Sequence, residues 1–164
     1  MDVVERADGT LEIITSDPTD TRRLGYFLGT NTDPPTVIAL VGELGSGKTV
    51  LTQGIAAGLG VSGQVRSPSF CVINEYAGSP PLYHFDCYRL RNTRELEALG
   101  YHEYFFDPGA VVVVEWADLV RTLLPSAYLE IIIEMTDLQK RRIVLVPRGV
   151  RYHRLASSVL GGVM

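Results

Sequence analysis

Cysteine is scarce. Only Cys71 and Cys87 occur in 164 residues, too few and too far apart for a zinc site or a Cys-x-x-Cys redox motif. They read as two reduced, buried thiols; if their segments pair as a hairpin with Tyr76 opposite Leu82, Cys71 faces Cys87. Lysine is scarcer than the charge suggests, since 13 of the 15 basic residues are arginine and only Lys48 and Lys140 are lysine. No apolar run approaches the roughly 20 residues of a membrane helix, and the acidic start MDVVERADGT lacks the features of a signal peptide. The expectation is a cytoplasmic protein that meets no membrane. Excess positive charge is missing too: a net charge of −4 and a pI near 5.3 argue against an autonomous grip on nucleic acid, because counterion release needs a basic surface. With no repeat, low-complexity tract or long linker, residues 1–164 read as a single domain.

What is present is an ordinary globular balance, 46% apolar and 21% charged, in a chain long enough to bury roughly 70% of its unfolded surface. Residues 11–15 look like a short edge strand. Asp17 then reads as an N-cap, with Pro18 at the first helical position, Asp20 in the first turn, and Leu24, Phe27 and Leu28 on one helical face. Residues 36–41 form an unbroken apolar run, the pattern of a strand buried on both faces. Leu51, Ile55 and Leu59 recur every fourth position up to Gly60, as in a helix closed by glycine. Residues 70–76 and 82–88 are β-rich runs joined by a Gly/Ser/Pro loop, a hairpin signature. A short helix is expected over 93–99, a central strand at the four valines 111–114, further strands over 127–133 and 142–146, and a terminal helix over 151–160. Strands alternating with helices predict an α/β fold, a three-layer sandwich with a mostly parallel central sheet and an antiparallel hairpin. In such sheets ligands gather beyond the carboxyl ends of the strands.

At one of those ends lies Gly42-Glu43-Leu44-Gly45-Ser46-Gly47-Lys48-Thr49, a match to Gly-x-x-x-x-Gly-Lys-[Ser/Thr] between a predicted strand and a predicted helix. Chance produces this pattern in roughly one chain of this length in a few hundred. Glycines let backbone N–H groups turn inward, and the helix start adds partial positive charge, so a polyphosphate is the fitting ligand. The predicted nucleotide contacts are Glu43, Leu44, Gly45, Ser46, Gly47, Lys48, Thr49 and Val50. Lys48 supplies a mobile cation for the β and γ oxygens, and the Thr49 hydroxyl can ligate Mg²⁺. The surroundings make the fold a P-loop NTPase-like one, with ATP or ADP and Mg²⁺ as expected cofactors.

Hydrolysis at such a loop needs a carboxylate and a group that orients water. Asp86 and Glu115 each stand near a strand end, and either can be the direct metal ligand. Ser67-Pro68-Ser69-Phe70 falls where a loop can pass over the γ-phosphate, with Ser67 or Ser69 reaching the metal or its water; a plain turn is the alternative. Taken in order, GELGSGKT, SPSF, HFDCYRL, ELEALGYHEYF and VVVVEWAD closely resemble the TsaE (YjeE) family over residues 21–133. That resemblance implies a small P-loop ATPase with weak intrinsic hydrolysis. It would work in a complex with TsaB-like and TsaD-like proteins that places threonylcarbamoyl on the adenosine next to the tRNA anticodon, with tRNA contacted through the complex. It also implies functional roles for Asp86 and Glu115, which with Lys48 form the expected catalytic set. This chain departs from the family at Ser69, where Thr is usual, at Cys87, where Leu is usual, and at Glu43, where Asp is common; no chemical role is lost.

Other residues admit blander readings. Trp116 can pack beside the nucleotide, on a partner surface or in the core. His84 and His102 have no ligands at metal spacing and read as structural. Arg89, Arg91 and Arg94 can meet phosphate, tRNA or an acidic partner, or simply solvate a helix. Lys140, Arg141, Arg142, Arg148, Arg151 and Arg154 give the last third a basic bias, suited to docking or to charged strand edges. Two other functions compete with the ATPase. A small-molecule kinase shares the loop but would want an arginine-rich lid and an acceptor pocket; a nucleotide-sensing scaffold would use ATP only to order residues 67–70. A GTPase is disfavoured, because no Asn-Lys-x-Asp motif is present and Lys140 lies between Gln139 and Arg141.

Overall fold

The computed structural model describes residues 1–68 and 72–162. In chain order its elements are β1 (Asp2–Glu5), β2 (Leu11–Thr15), α1 (Pro18–Thr30), β3 (Thr36–Val41), α2 (Lys48–Gly58), β4 (Ile73–Tyr76), β5 (Leu82–Asp86), α3 (Thr93–Ala98), α4 (Tyr101–Phe105), β6 (Val111–Glu115), a 3-10 helix (Ala117–Leu123), β7 (Tyr128–Met135), β8 (Arg141–Arg148) and α5 (Val150–Gly162). The strands form one sheet in the order β1-β2-β8-β7-β3-β6-β5-β4. Its middle, β7-β3-β6-β5, is parallel, and both flanks are antiparallel. The expected three layers are present, with the antiparallel part extended by β1, β2 and β8.

Strand alternation divides the core. Ile38, Leu40, Val111 and Val113 face one side, against Leu24 and Leu28 of α1, Leu51 and Ile55 of α2 and Leu155 of α5. Val37, Ala39, Val112 and Val114 face the other, against Leu96, Phe105 and Val120. Residues 11–15 are not an edge strand: β2 lies between β1 and β8. Residues 2–5 carry only two apolar side chains and no complete alternation, so they gave no strand signal. The hairpin register holds, with Tyr76 opposite Leu82 and Ile73 opposite Phe85. Cys71 and its facing of Cys87 lie outside the described residues, as does Ser69. Cys87 itself is buried, and desolvation pushes its thiol up to about 12.

α1 starts as read: Asp17 accepts from the Asp20 amide at 2.9 Å, and Asp20 accepts from the Ser16 amide at 2.9 Å, a reciprocal cap. What the sequence reading passed over is how α1 meets α2. Gly25 and Gly29 on one helix oppose Gly54 and Gly58 on the other, so backbone packs on backbone. A Cβ on Gly54 would stand 3.0 Å from the Gly25 Cα and be driven into the Arg22 carbonyl. α2 is therefore held at its full length against α1 while its first turn stays free for the loop before it.

Glu130 of β7 fastens the segment that follows β6. It is almost wholly buried and accepts from Arg121 of the 3-10 helix at 2.5 Å and from Arg148 of β8 at 2.8 Å. Burial alone would raise this carboxyl, but the Arg148 and Arg121 guanidiniums outweigh it and hold the pKa below the usual value.

Two outcomes follow. Gly54→Ala should destabilise by about 1–3 kcal/mol, a fall in Tm of roughly 2–4 °C per kcal/mol, whereas Gly161→Ala, where nothing stands within 4 Å of a new Cβ, should be neutral or gain up to about 1 kcal/mol. Equal melting shifts for the pair would refute the close-packing account. Because the Glu130 pKa is lowered, its contribution is present above the unfolded value of 4.5 and lost as pH falls through the native value. Glu130→Gln should thus cost roughly 1–3 kcal/mol at neutral pH, with a deficit that shrinks in urea unfolding at about pH 3.

Candidate functional site

β3, buried on both faces, delivers the chain to the loop 42–47 at its carboxyl end. Gly45 and Gly47 take φ of +80° and +110°, a region open to glycine at little cost, and Gly47 stands at the N-cap of α2 with no side chain capping the helix. The first amides of α2 therefore remain available to a ligand. Gly42 is needed for a different reason: a Cβ there would collide with the Ile133 carbonyl and the Ser46 hydroxyl.

Lys48 is nearly buried. Its Nζ donates to the carbonyls of Gly42 at 2.6 Å and Glu43 at 2.8 Å, reaches Ser46 Oγ at 3.4 Å, and sits 4.1 Å above the Trp116 ring. Trp116 adopts φ +58°, uncommon for a side chain of its size, and that turn after β6 is what lays its ring under Lys48 and beside Tyr88, with ring centroids 4.8 Å apart. Burial lowers the Lys48 pKa, an effect countered in part by Glu115, Asp86 and Asp118.

The parallel register of β5 and β6 sets Asp86 directly beside Glu115. Glu115 is buried at the centre of a polar cluster. Its Oε1 accepts from Thr49 Oγ1 at 3.4 Å, its Oε2 accepts from Ser67 Oγ at 3.4 Å, the two hydroxyls are 2.7 Å apart, and His84 Nε2 meets Oε2 from below. Among the described residues Asp86 makes no such contact; its Oδ1 accepts from the Tyr88 amide at 3.0 Å. Burial raises the Asp86 pKa and the Glu115 charge adds to this. A half-desolvated carboxylate and a half-desolvated ammonium thus face one space, and a cation beside the first and an anion beside the second would relieve both.

Gly45, Gly47, Lys48, Thr49, Val50, Leu44, Ser67, Asp86, Glu115 and Trp116 line one cavity of about 310 Å³, joined by Arg141. Glu43, Leu44 and Ser46 open on the other side to a second cavity of about 630 Å³, walled by Ile132, Ile133, Glu134 and Met135. Of the predicted site residues within the described chain, all but Glu43 and Ser46 line the first cavity. Sequence reading did not single out Arg141, which it saw only as part of a basic bias. Its Nε donates to the Ser46 carbonyl at 2.7 Å and its Nη1 to the carbonyls of Asp137, Leu138 and Lys140, so it braces the loop from the β7–β8 turn. Nothing in a run of basic residues marks one for such a place. The remaining bias is mostly spent internally: Arg142 pairs with Glu12 and Glu134, Arg148 with Glu130, and Arg151 with the carbonyls of Asp33 and Pro35.

The donor set suits a hydrated divalent cation shared with phosphate. Among the described residues no group of three or more His, Cys, Asp or Glu side chains forms a cage; Thr49, Ser67, Asp86 and Glu115 are the oxygens at hand, and Mg²⁺ commonly takes one or two protein oxygens and leaves the rest to phosphate and water. No helix of the described residues is long and apolar enough to cross a membrane.

Comparison with known proteins agrees with this geometry. Residues 15–143 match the family model of the threonylcarbamoyl adenosine biosynthesis protein TsaE. The tRNA threonylcarbamoyladenosine biosynthesis protein TsaE of Bacillus subtilis is 40% identical over 146 residues, 88% of this chain and 90% of that one. The Nostoc protein of the same name is 36% identical over 145 residues, 85% and 88% of the two chains. The crystal structure of Bacillus subtilis YdiB superposes with a TM-score of 0.80 at 34% identity, covering 98% of this chain and 97% of its own. A phosphate-type loop, the ordered motifs around it and this breadth of likeness lead to one conclusion: the chain belongs to the TsaE family and has its P-loop fold.

Proposed function

We propose that the protein is a Mg-dependent ATPase of low intrinsic turnover that serves the formation of N6-threonylcarbamoyladenosine in tRNA, next to the anticodon, by resetting a complex with TsaB-like and TsaD-like partners. The observation that carries this reading is the convergence of Thr49, Ser67 and Glu115 within 3.4 Å of one another at the uncapped start of α2, with Lys48 alongside. The pathway rests on family membership and on the names its relatives carry.

The loop amides of 43–50 and Lys48 would bind the phosphate chain; Lys48, held now by the Gly42 and Glu43 carbonyls, would exchange those partners for phosphate oxygens of full charge. Thr49 would hold Mg²⁺, with Asp86 or Glu115 as the carboxylate of its shell. The bound cation would neutralise charge gathering on the transferred phosphoryl group. Glu115, fixed by its neighbours, would orient the attacking water and accept its proton. Ser67 would exchange its bond to Thr49 for the cation or its water, which links occupancy to the loop 67–70; Ser69 belongs to the same proposal. Trp116 would cover Lys48 and shield it from solvent. Arg141 would keep the loop in its binding shape. The 310 Å³ cavity is lined by the phosphate-loop and carboxylate residues, which favours nucleotide chemistry here, tRNA chemistry in a partner and contact with tRNA through the complex; a cytoplasmic setting belongs to the same proposal.

The scaffold and kinase readings are separated from this one by direct assay. At a hundredfold excess of ATP over its Kd, binding should stabilise the protein by about 2.7 kcal/mol, and Lys48→Ala should abolish that shift; an undiminished shift in the variant refutes the site. Phosphate release by the wild type should rise when TsaB-like and TsaD-like partners are added, and Glu115→Gln should lower it about 100-fold or more while ATP still binds. Full modification activity with Glu115→Gln would favour the scaffold, and label transfer to a small alcohol the kinase.

A further inference from the structure

His84 lies one step below the catalytic edge and is wholly buried. On β5 it alternates with Tyr83 and Phe85 and shares a face with Leu82 and Asp86, positions at which a strand under a helix ordinarily carries aliphatic side chains. The register places His84 beside Val113 and Asp86 beside Glu115, so the imidazole sits diagonally beneath the Glu115 carboxylate and its Nε2 reaches Oε2. Its other nitrogen, Nδ1, is buried with no hydrogen-bond partner among the described residues.

This asymmetry defines what the ring does. A carboxylate can only accept, so Nε2 carries the hydrogen. The ring therefore gives a rigid donor to one oxygen of Glu115. That length has chemical sense here: Ser or Thr at 84 would be too short to span the diagonal. A buried ring nitrogen left unpaired would be removed by an aliphatic substitution if packing were the only demand on the position.

We infer that His84 is a positioning residue for Glu115, a donor from beneath the sheet edge that turns the Glu115 carboxylate toward Thr49 and Ser67. With Oε2 held by His84, rotation about the terminal torsion of Glu115 is stopped, and both oxygens face the hydroxyl pair. The inference rests on the ATPase reading for its catalytic consequence, but the pairing itself is a property of the protein without nucleotide. Partners that orient a reacting or ligating group commonly account for about 10- to 100-fold in activity or metal affinity.

The test compares His84→Gln, whose side-chain amide can place an N–H near the Nε2 position, with His84→Leu, which fills the space and donates nothing. Glu115→Gln and both double variants complete the set. In nucleotide-free wild type, ¹⁵N spectra of the imidazole should show the hydrogen on Nε2, and thermal melts of His84→Leu and Glu115→Gln should be non-additive. With Mg-ATP, His84→Leu should lower kcat about 10- to 100-fold with KM for ATP within about twofold, and His84→Gln should recover most of the loss. A folded His84→Leu that turns over ATP like the wild type, the opposite tautomer, or additive melts would overturn the inference. If the wild type with its partners hydrolyses no ATP, the ATPase reading fails, while the spectra and the nucleotide-free melts still decide the pairing.

Discussion

The ligand edge depends on unpaired amides at the start of α2. A helix leaves its first N–H groups without internal partners, and most helices answer with a capping side chain, as α1 does with Asp17. α2 has Gly47 in that place and no cap. Lys48 turns back on the loop carbonyls and, being a donor itself, leaves those amides to an arriving anion. The glycines, the buried strand before the loop and the brace from Arg141 all serve to keep that bare helix end aimed at the cavity.

A second constraint comes from parallel pairing. Since β5 and β6 run in the same direction with Asp86 beside Glu115, two carboxylates emerge together at the edge where α2 begins. One is tied into a buried polar cluster by hydroxyls and an imidazole; the other is half-buried and, among the described residues, accepts from the Tyr88 backbone amide. Similar groups thus acquire different environments from adjacent strands, and the division of labour proposed for them rests on that difference.

Much of this was legible in the residues. The loop 42–49 announces itself because phosphate binding needs small residues, a cation and a hydroxyl at set intervals, and few other demands produce that combination. The parallel core showed in runs such as 36–41 and 111–114, where burial on both faces removes alternation. The limits were physical as well. β1 is two apolar residues among acidic ones and owes its pairing to β2, a tertiary fact. α4 is five residues long, too short for periodicity to register. Arg141 looked like its neighbours because position relative to a distant loop leaves no local mark, and His84 was read as structural because its partner is 31 residues away. The distinction between Asp86 and Glu115 likewise arises from what surrounds them in space.

The contact between α1 and α2 carries a mechanical consequence. Where glycine meets glycine there are no rotamers at the joint, so the two helices cannot slide or roll past each other by repacking side chains, and they behave as one strut laid across the sheet. The tip of α2 has no give along that axis. Motion must instead be taken up by the elements that meet the cavity through side chains alone, the stretch holding Ser67 and the bend at Trp116.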